Sequence, residues 1–305
     1  MTATHVIGVD LGGTKILAGI VDRDGEVERR YEIPTPTEST EALLAGLDEA
    51  VQELMDDRVG AVGFGIPSTI DQRTGRAVWS ANIPLADLPF RDRMAERWKV
   101  PCGIDNDANA ATIAEWRIGA GRGASDLAML TIGTGLGGGL ILGGRPYRGS
   151  MGAGVELGHI VIVHDGIPCQ NNCTGHGHLE PYVTGLAATR AAREAFGPGA
   201  DAHRLVRLAN EGEQKAIEII AGIGRIVGSA IGTLVNIFIP ELVIIGGGFG
   251  TAAWEYLIEP MRELATRESL EPGRSLLRIV PAELGTAAGL IGAGFVAWEA
   301  LEPGT

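Results

Sequence analysis

Val6–Asp22 reads VIGVDLGGTKILAGIVD, and Leu127–Gly144 reads LAMLTIGTGLGGGLILGG. In both, a β-type apolar run meets a glycine turn and continues as a second apolar run, the pattern of a hairpin. One such hairpin is ordinary. Its return in the second half of the chain points to an internal duplication and to two related α/β lobes. The fold class predicted from this pair is therefore α/β.

Reading outward, EVERRYEIPTP supplies a third strand beside the first hairpin. Residues 38–57 place Leu43, Leu44, Leu47, Val51 and Leu54 at helical spacing behind Ser/Thr caps. VGAVGFGIP and VPCGIDND read as buried strands, the second running into a helix over Ala108–Ile118. Beyond the second hairpin come helices over Leu186–Phe196, Ala202–Asn210 and Glu213–Asn236, then a strand at LVIIGGG. A helix over Trp254–Thr266, a strand at LLRIVPA and a last helix over Thr286–Ala300 follow; the last is expected to pack back on the N-terminal lobe.

Composition narrows the classes. The chain has 305 residues, 45% hydrophobic, enough for a substantial core and for two domains. Its net charge of −13 disfavours a groove that tracks nucleic-acid phosphates. Three cysteines make no disulfide framework and fit a reducing cytoplasm. MTATHVIGVD carries no basic-then-apolar leader, so no signal peptide is expected. Ala216–Pro240 is the most apolar stretch, but Glu218, Arg225, Asn236 and its glycines suit a buried helix rather than a membrane span.

At the first turn, Asp10, Gly12, Gly13, Thr14 and Lys15 combine close backbone approach with donors suited to phosphate oxygens, and Asp10 could hold water on magnesium. The second turn holds a formal G-x-G-x-x-G at Gly133, Gly135 and Gly138, but a strand follows where the dinucleotide fingerprint needs a helix. No G-x-x-x-x-G-K-[ST] occurs, which excludes a P-loop. IDNDANAAT sets Asn106 and Asp107 at the end of a strand and the start of a helix. Asp107 can cap that helix or accept a hydroxyl proton, and Asn106 can donate to and accept from a sugar hydroxyl. With Glu156 and Glu180 these groups make a set suited to gripping a polyol.

GHIVIVHDGIPCQNNCTGHGHLE, Gly158–Glu180, holds four of the six histidines and two of the three cysteines. His159, Cys169, Cys173 and His178 are four ligands of the types zinc takes, with His176 competing for the fourth position. A site closed by four protein ligands holds a structural ion. His164 and His203 read as surface residues and Cys102 as a buried apolar thiol.

Taken in order, IGVDLGGTKI, GFGIP, DNDANAA, TIGTGLGGG, VELGHI, GHLE and VIIGGG resemble the bacterial ROK-family sugar kinases, glucokinase branch, over nearly the whole chain. Each motif is modest alone; the ordered set is specific. The resemblance implies two actin-like (ribonuclease H-like) lobes with a ligand cleft between them. The small lobe would be 1–113 plus 289–305, and the large one 114–288 with a zinc loop at about 159–180. It implies phosphorylation of glucose at O6 by ATP with Mg²⁺, Asp107 acting as general base. It implies sugar contacts from Gly65, Asn82, Asn106, Asp107, Glu156, His159 and Glu180. Asp10, Gly12, Gly13, Thr14 and Lys15 match its first phosphate segment; Gly133, Thr134 and Gly135 match the second, and Gly246, Gly247 and Gly248 the adenosine side. It implies a structural Zn²⁺, a homodimer or homotetramer, and no nucleic-acid or membrane partner.

The chain departs from the family pattern in two places. The family's zinc is held by the histidine of E-x-G-H and three cysteines. Here His178 takes the third cysteine's place, Cys169 comes two positions early and Asn171 stands where the first would be. Ser68 follows Pro67 where the family usually has glycine. Relatives also phosphorylate fructose, mannose, allose or N-acetylated hexosamines, use polyphosphate, or act as sugar-responsive repressors. The acidic charge and the early first hairpin speak against the repressor. The grouped carboxylates beside a metal loop speak against an actin-like ATPase.

Overall fold

The computed structural model describes residues 3–80, 82–170 and 173–302. The chain divides into two compact units, Met1–Arg122 with Pro146–Val155 and Thr286–Thr305, and Gly123–Arg145 with Glu156–Gly285. The change of unit falls at Gly123 rather than at residue 114, because the helix over Asp107–Ile118 runs through the expected boundary.

In the first unit, β1 (His5–Leu11) and β2 (Lys15–Val21) form the antiparallel hairpin, Asp10 facing Leu17, and β3 (Val27–Pro34) adds to β2. Ser39 caps α1 (Thr40–Gln52), its Oγ accepting from the Ala42 N–H at 3.1 Å. β4 (Val59–Ile66) lies parallel to β1. β5 (Thr69–Asp71), β6 (Arg76–Trp79) and β7 (Ala86–Leu88) make a small separate sheet. Strands of three and four residues are too short to show an alternation in sequence. Then come α2 (Phe90–Trp98), β8 (Cys102–Asn106), parallel to β4, and α3 (Asp107–Ile118).

The second unit opens with β9 (Leu127–Ile132) and β10 (Leu136–Leu142), antiparallel, followed by β11 (Arg145–Tyr147). Helices α4 (Glu180–Val183), α5 (Gly185–Phe196), α6 (Ala202–Asn210) and α7 (Gln214–Phe238) precede β12 (Leu242–Gly246), which is parallel to β9. α8 (Gly248–Ala252), α9 (Trp254–Glu268), α10 (Gly273–Leu276) and β13 (Ile279–Pro281) complete it. The predicted strand at LLRIVPA is shorter than expected, since Leu276 belongs to α10, which closes on a Leu277 N–H to Gly273 carbonyl bond. α11 (Ala288–Leu301) belongs to the first unit.

The two large sheets run β3-β2-β1-β4-β8 and β11-β10-β9-β12-β13. Each is a hairpin with one further strand on one side and two parallel strands on the other, so the repeated sequence pattern is also a repeated topology. In the first sheet one face buries Ile7, Val9, Phe64 and Ile104 with Leu43, Leu47 and Val51 of α1. Full burial of each such side chain contributes roughly 1.5–3 kcal/mol. Gly8, Gly63 and Gly103 leave the sheet bare for α11. A Cβ at Gly63 would stand 1.9 Å from the Ala293 carbonyl oxygen, and one at Gly8 would stand 2.2 Å from that of Leu290. No other residue permits that approach.

α7 is long and apolar enough to cross a membrane by length and composition, but half of its apolar window is buried. Gly224, Gly228 and Gly232 let it pack closely on α9, where a Cβ at Gly228 would stand 2.3 Å from the Met261 carbonyl oxygen. That is the packing of a core helix.

Candidate active site

The end of β8 and the start of α3 bring together Asp105, Asn106, Asp107 and Asn109. Asn106 leaves the strand extended, and its Oδ1 accepts from the N–H groups of Ala108 (3.0 Å) and Asn109 (3.3 Å). The helix cap is thus Asn106. Asp107, a candidate cap on sequence, is the first helical residue; its Oδ1 accepts from its neighbour Ala108 N–H at 2.9 Å. Gly65 faces Asp105 across the β4–β8 ladder, and a Cβ there would come within 3.6 Å of the Asp107 Cα. The structure therefore brings Gly65, Asn106 and Asp107 together. Burial raises the Asp107 pKa, against hydrogen bonds from Ala108, its own N–H and Asn106. A carboxylate that holds a proton more firmly is a better base toward a hydroxyl.

Asp10 is the next-to-last residue of β1. Gly289, in the first turn of α11, leaves room for it, since a Cβ there would stand 2.3 Å from the carboxylate. Burial, then the charge of Asp107, push the Asp10 pKa up to about 7, while Lys15 opposes the shift. At the hairpin tip the Gly12 N–H donates to the Lys15 carbonyl, and Gly13, Thr14 and Lys15 are exposed. Lys15 bonds Glu32 across the sheet at 2.8 Å, an exposed pair that contributes little. Asn82 is exposed between β6 and β7. The Ser68 hydroxyl donates to the Trp79 carbonyl at 2.8 Å, so the residue that replaces glycine ties the end of β4 to β6.

In the second unit the Gly133–Thr134–Gly135 turn closes on a Gly133 N–H to Gly135 carbonyl bond, and Gly185 N–H donates to the Gly133 carbonyl. Glu180 is buried at the head of α4; its carboxylate would lie 3.8 Å from a Cβ on Gly135 and 3.3 Å from one on Gly158. Glu156 is exposed, and its carbonyl accepts from the His159 N–H. Gly246 ends β12, Gly247 turns with φ +81°, and Gly248 starts α8. A Cβ on Gly247 would stand 2.5 Å from the Ile132 backbone nitrogen, which fixes glycine there.

His159, Cys169, Cys173 and His178 converge, their ligand atoms all within 4.8 Å of one another. His159 Nδ1 lies 3.1 Å from His178 Nδ1 and 3.6 Å from Cys169 Sγ; Cys173 Sγ lies 3.5 Å from His178 Nδ1. A tetrahedron with zinc–nitrogen and zinc–sulfur bonds of ordinary length has edges of roughly 3.3–3.8 Å, so these residues fit the ion. His176 turns to the Gly166 carbonyl instead. Because His159 faces the cluster through Nδ1, its Nε2 is left for another partner. Burial, then Cys173, push the Cys169 thiol up to about 11, a proton that metal binding would displace. Asn171 lies outside the described residues. Cys102 is buried and its thiol is pushed up to about 12 by that burial, in keeping with an inert apolar residue. His164 is exposed.

Sequence reasoning passed over the residues that brace this corner. Asp105, fully buried in β8, accepts from Arg148 Nε at 2.6 Å, and Arg148 also donates to Glu299 of α11 at 3.0 Å. An aspartate inside an apolar strand run signals a buried cation partner, but nothing local says which.

The ROK family model matches residues 6–300. A glucokinase of Streptomyces coelicolor is 32% identical over 96% of this chain and 97% of its own length. An N-acetyl-D-glucosamine kinase of Pectobacterium atrosepticum is 32% identical over 95% of this chain and 97% of its own. The crystal structure of a ROK family glucokinase from Streptomyces griseus in complex with glucose and AMPPNP superposes with a TM-score of 0.85 at 33% identity, covering 97% of this chain and 99% of that one.

Proposed function

The chain belongs to the ROK family and is an ATP-dependent sugar kinase of actin-like fold, and on that premise we propose that it phosphorylates glucose at O6 with Asp107 as general base. The observation that carries the reading is Asp107 itself. Its carboxylate stands at a strand tip beside Gly65 and Asn106, hydrogen-bonded by its immediate neighbours in the chain, and burial favours its protonated form.

In this reading Asp107 takes the proton of the glucose 6-hydroxyl as the O6–phosphorus bond forms and the bond from the γ-phosphorus to the bridging oxygen breaks. ADP leaves with the electron pair of the broken bond. Asn106, with Asn82, Glu156, His159 and Glu180, holds the other hydroxyls, and the backbone at Gly65 leaves them room. Gly12–Lys15 and Gly133–Gly135 approach the phosphates and Gly246–Gly248 the adenosine. Mg²⁺, bound with ATP, supplies charge neutralisation of the transferred group, with Asp10 the carboxylate on this chain suited to its shell. Zinc held by His159, Cys169, Cys173 and His178 supplies a rigid cross-link, leaving His159 Nε2 for the sugar and stiffening the segment that leads to Glu180. A cytoplasmic enzyme that assembles as a homodimer or homotetramer completes the proposal.

Asp107→Asn keeps the hydrogen-bonding shape and removes the base. ADP formation with glucose should fall by roughly 10²–10⁴-fold while glucose binding by calorimetry stays within a few fold. Near-normal turnover in Asp107→Asn removes Asp107 from the role. The equal identity to an N-acetyl-D-glucosamine kinase supports a second reading, an N-acetylhexosamine substrate. Glucose, mannose, fructose, allose and N-acetylglucosamine compared by kcat/KM, with ATP and then polyphosphate as donor, decide between them.

A further inference from the structure

Arg148 lies on the 146–155 segment, which returns to the first unit from β11. Its guanidinium joins two carboxylates of that unit, Asp105 of β8 at 2.6 Å and Glu299 of α11 at 3.0 Å. Asp105 is 0% exposed. Its Oδ2 accepts from Arg148, and its Oδ1 accepts from the Asn106 N–H at 2.8 Å and from Asn109 Nδ2 at 3.2 Å. Asn106 N–H is the last donor of the chain before Asp107, and Asn109 lies in the first turn of α3. One carboxylate thus holds the strand end and the helix start from beneath, and Arg148 is its counter-charge.

The segment that delivers Arg148 is itself constrained. Gly154 N–H donates to the Arg148 carbonyl, and Gln72 N–H donates to the carbonyl of Met151. Val155, at its end, is held at φ +74°. A β-branched residue stays in the left-handed region only where its surroundings over-determine it.

We infer that Arg148 is a positioning residue for the reaction: through Asp105 it sets the backbone from Asn106 into Asp107 and so the direction of the Asp107 carboxylate. The hydrogen bond from Asn106 N–H to Asp105 is charge-assisted, and such bonds are short and about twice as strong as neutral ones. Without the guanidinium, Asp105 is a buried carboxylate without a counter-charge. It must then move toward water, and that movement loosens its hold on Asn106. A small displacement of a reacting group costs up to about a hundredfold in turnover. Arg148 bonds Asp105 and Glu299, neither of them a proposed sugar contact, and the Asn106 side chain keeps its place at the α3 cap, so the effect is expected in turnover rather than in substrate binding.

The inference rests on Asp107 as base, and the test separates the two. Arg148→Met, Arg148→Met/Asp105→Asn and Asp107→Asn are assayed beside the wild type, at a temperature well below each variant's Tm, so that only folded enzyme is compared. Arg148→Met is expected to lose roughly 10- to 100-fold in kcat with glucose and ATP KM values within about threefold. The double variant has no buried charge, and the amide oxygen that replaces the carboxylate still accepts from Asn106 N–H, so most of the kcat should return. A kcat within twofold of wild type in Arg148→Met, or a double variant as slow as the single, overturns the inference. If Arg148→Met does not fold, Arg148→Lys carries the test. A point charge cannot serve both carboxylates as the planar fork does. It is expected at about a third to a tenth of wild-type kcat, and a wild-type kcat refutes the role. A fully active Asp107→Asn refutes the base instead, whatever Arg148 does.

Discussion

Asp10→Asn tests how a crowded carboxylate at the end of β1 shapes stability. Burial, then Asp107, raise the Asp10 pKa from 3.8 to about 7. A folded-state value above the unfolded one means that the native protein keeps a proton the unfolded chain has given up. The stability due to this group is therefore fully present below pH 3.8 and is lost as pH rises through about 7. The shift, about 7 minus 3.8, is about three units. At about 1.4 kcal/mol per unit its upper bound is ~4 kcal/mol. Asp10 keeps a solvent-facing edge, so roughly half of that, ~2 kcal/mol, is the expected effect. Asparagine has the same shape and no such titration. Urea unfolding midpoints for the two proteins, free of nucleotide and magnesium, should nearly coincide at about pH 4 and draw apart steadily up to about pH 8, Asp10→Asn being the more stable. Added Mg²⁺ with ADP should narrow the gap, because a cation favours the ionised carboxylate. Parallel stability curves from about pH 5 to 9 would show that Asp10 does not titrate in this range and would refute the reasoning.

Val155→Gly removes a left-handed valine whose conformation costs roughly 1–3 kcal/mol, against about 0.5–1 kcal/mol of added chain entropy. Its Tm should rise by about 2–4 °C, and an unchanged or lower Tm means that Val155 packing outweighs the strain. Cys173→Ser removes one of four ligands whose atoms lie within 4.8 Å of one another. Metal analysis should show zinc falling from about one per chain to well below it, with a lower Tm; full zinc content in that variant rejects the four-ligand site.

The sequence held most of the framework because its signals were local. Gly12–Gly13 and the Gly133–Gly139 run marked both hairpins, and the spacing of Leu43, Leu47 and Val51 marked α1. The His/Cys cluster was legible because its four residues lie within one short stretch; the structure groups His178 with them and turns His176 to the Gly166 carbonyl. What could not be read was either too short or too distant. The β5–β7 sheet has strands of three and four residues. Whether Asn106 or Asp107 caps α3 turns on one backbone torsion. The Arg148–Asp105–Glu299 triad joins residues up to 194 positions apart, a pairing that only the fold creates.

The bare face of the first sheet has a consequence for synthesis. Gly8, Gly63 and Gly103 are early residues, yet what covers them is α11, which emerges from the ribosome after the whole second unit. A nascent chain therefore carries a half-clad β-layer through most of its translation, while the later-starting unit can finish first. Vectorial folding here runs out of order, and the final helix acts as the latch that closes the earlier lobe.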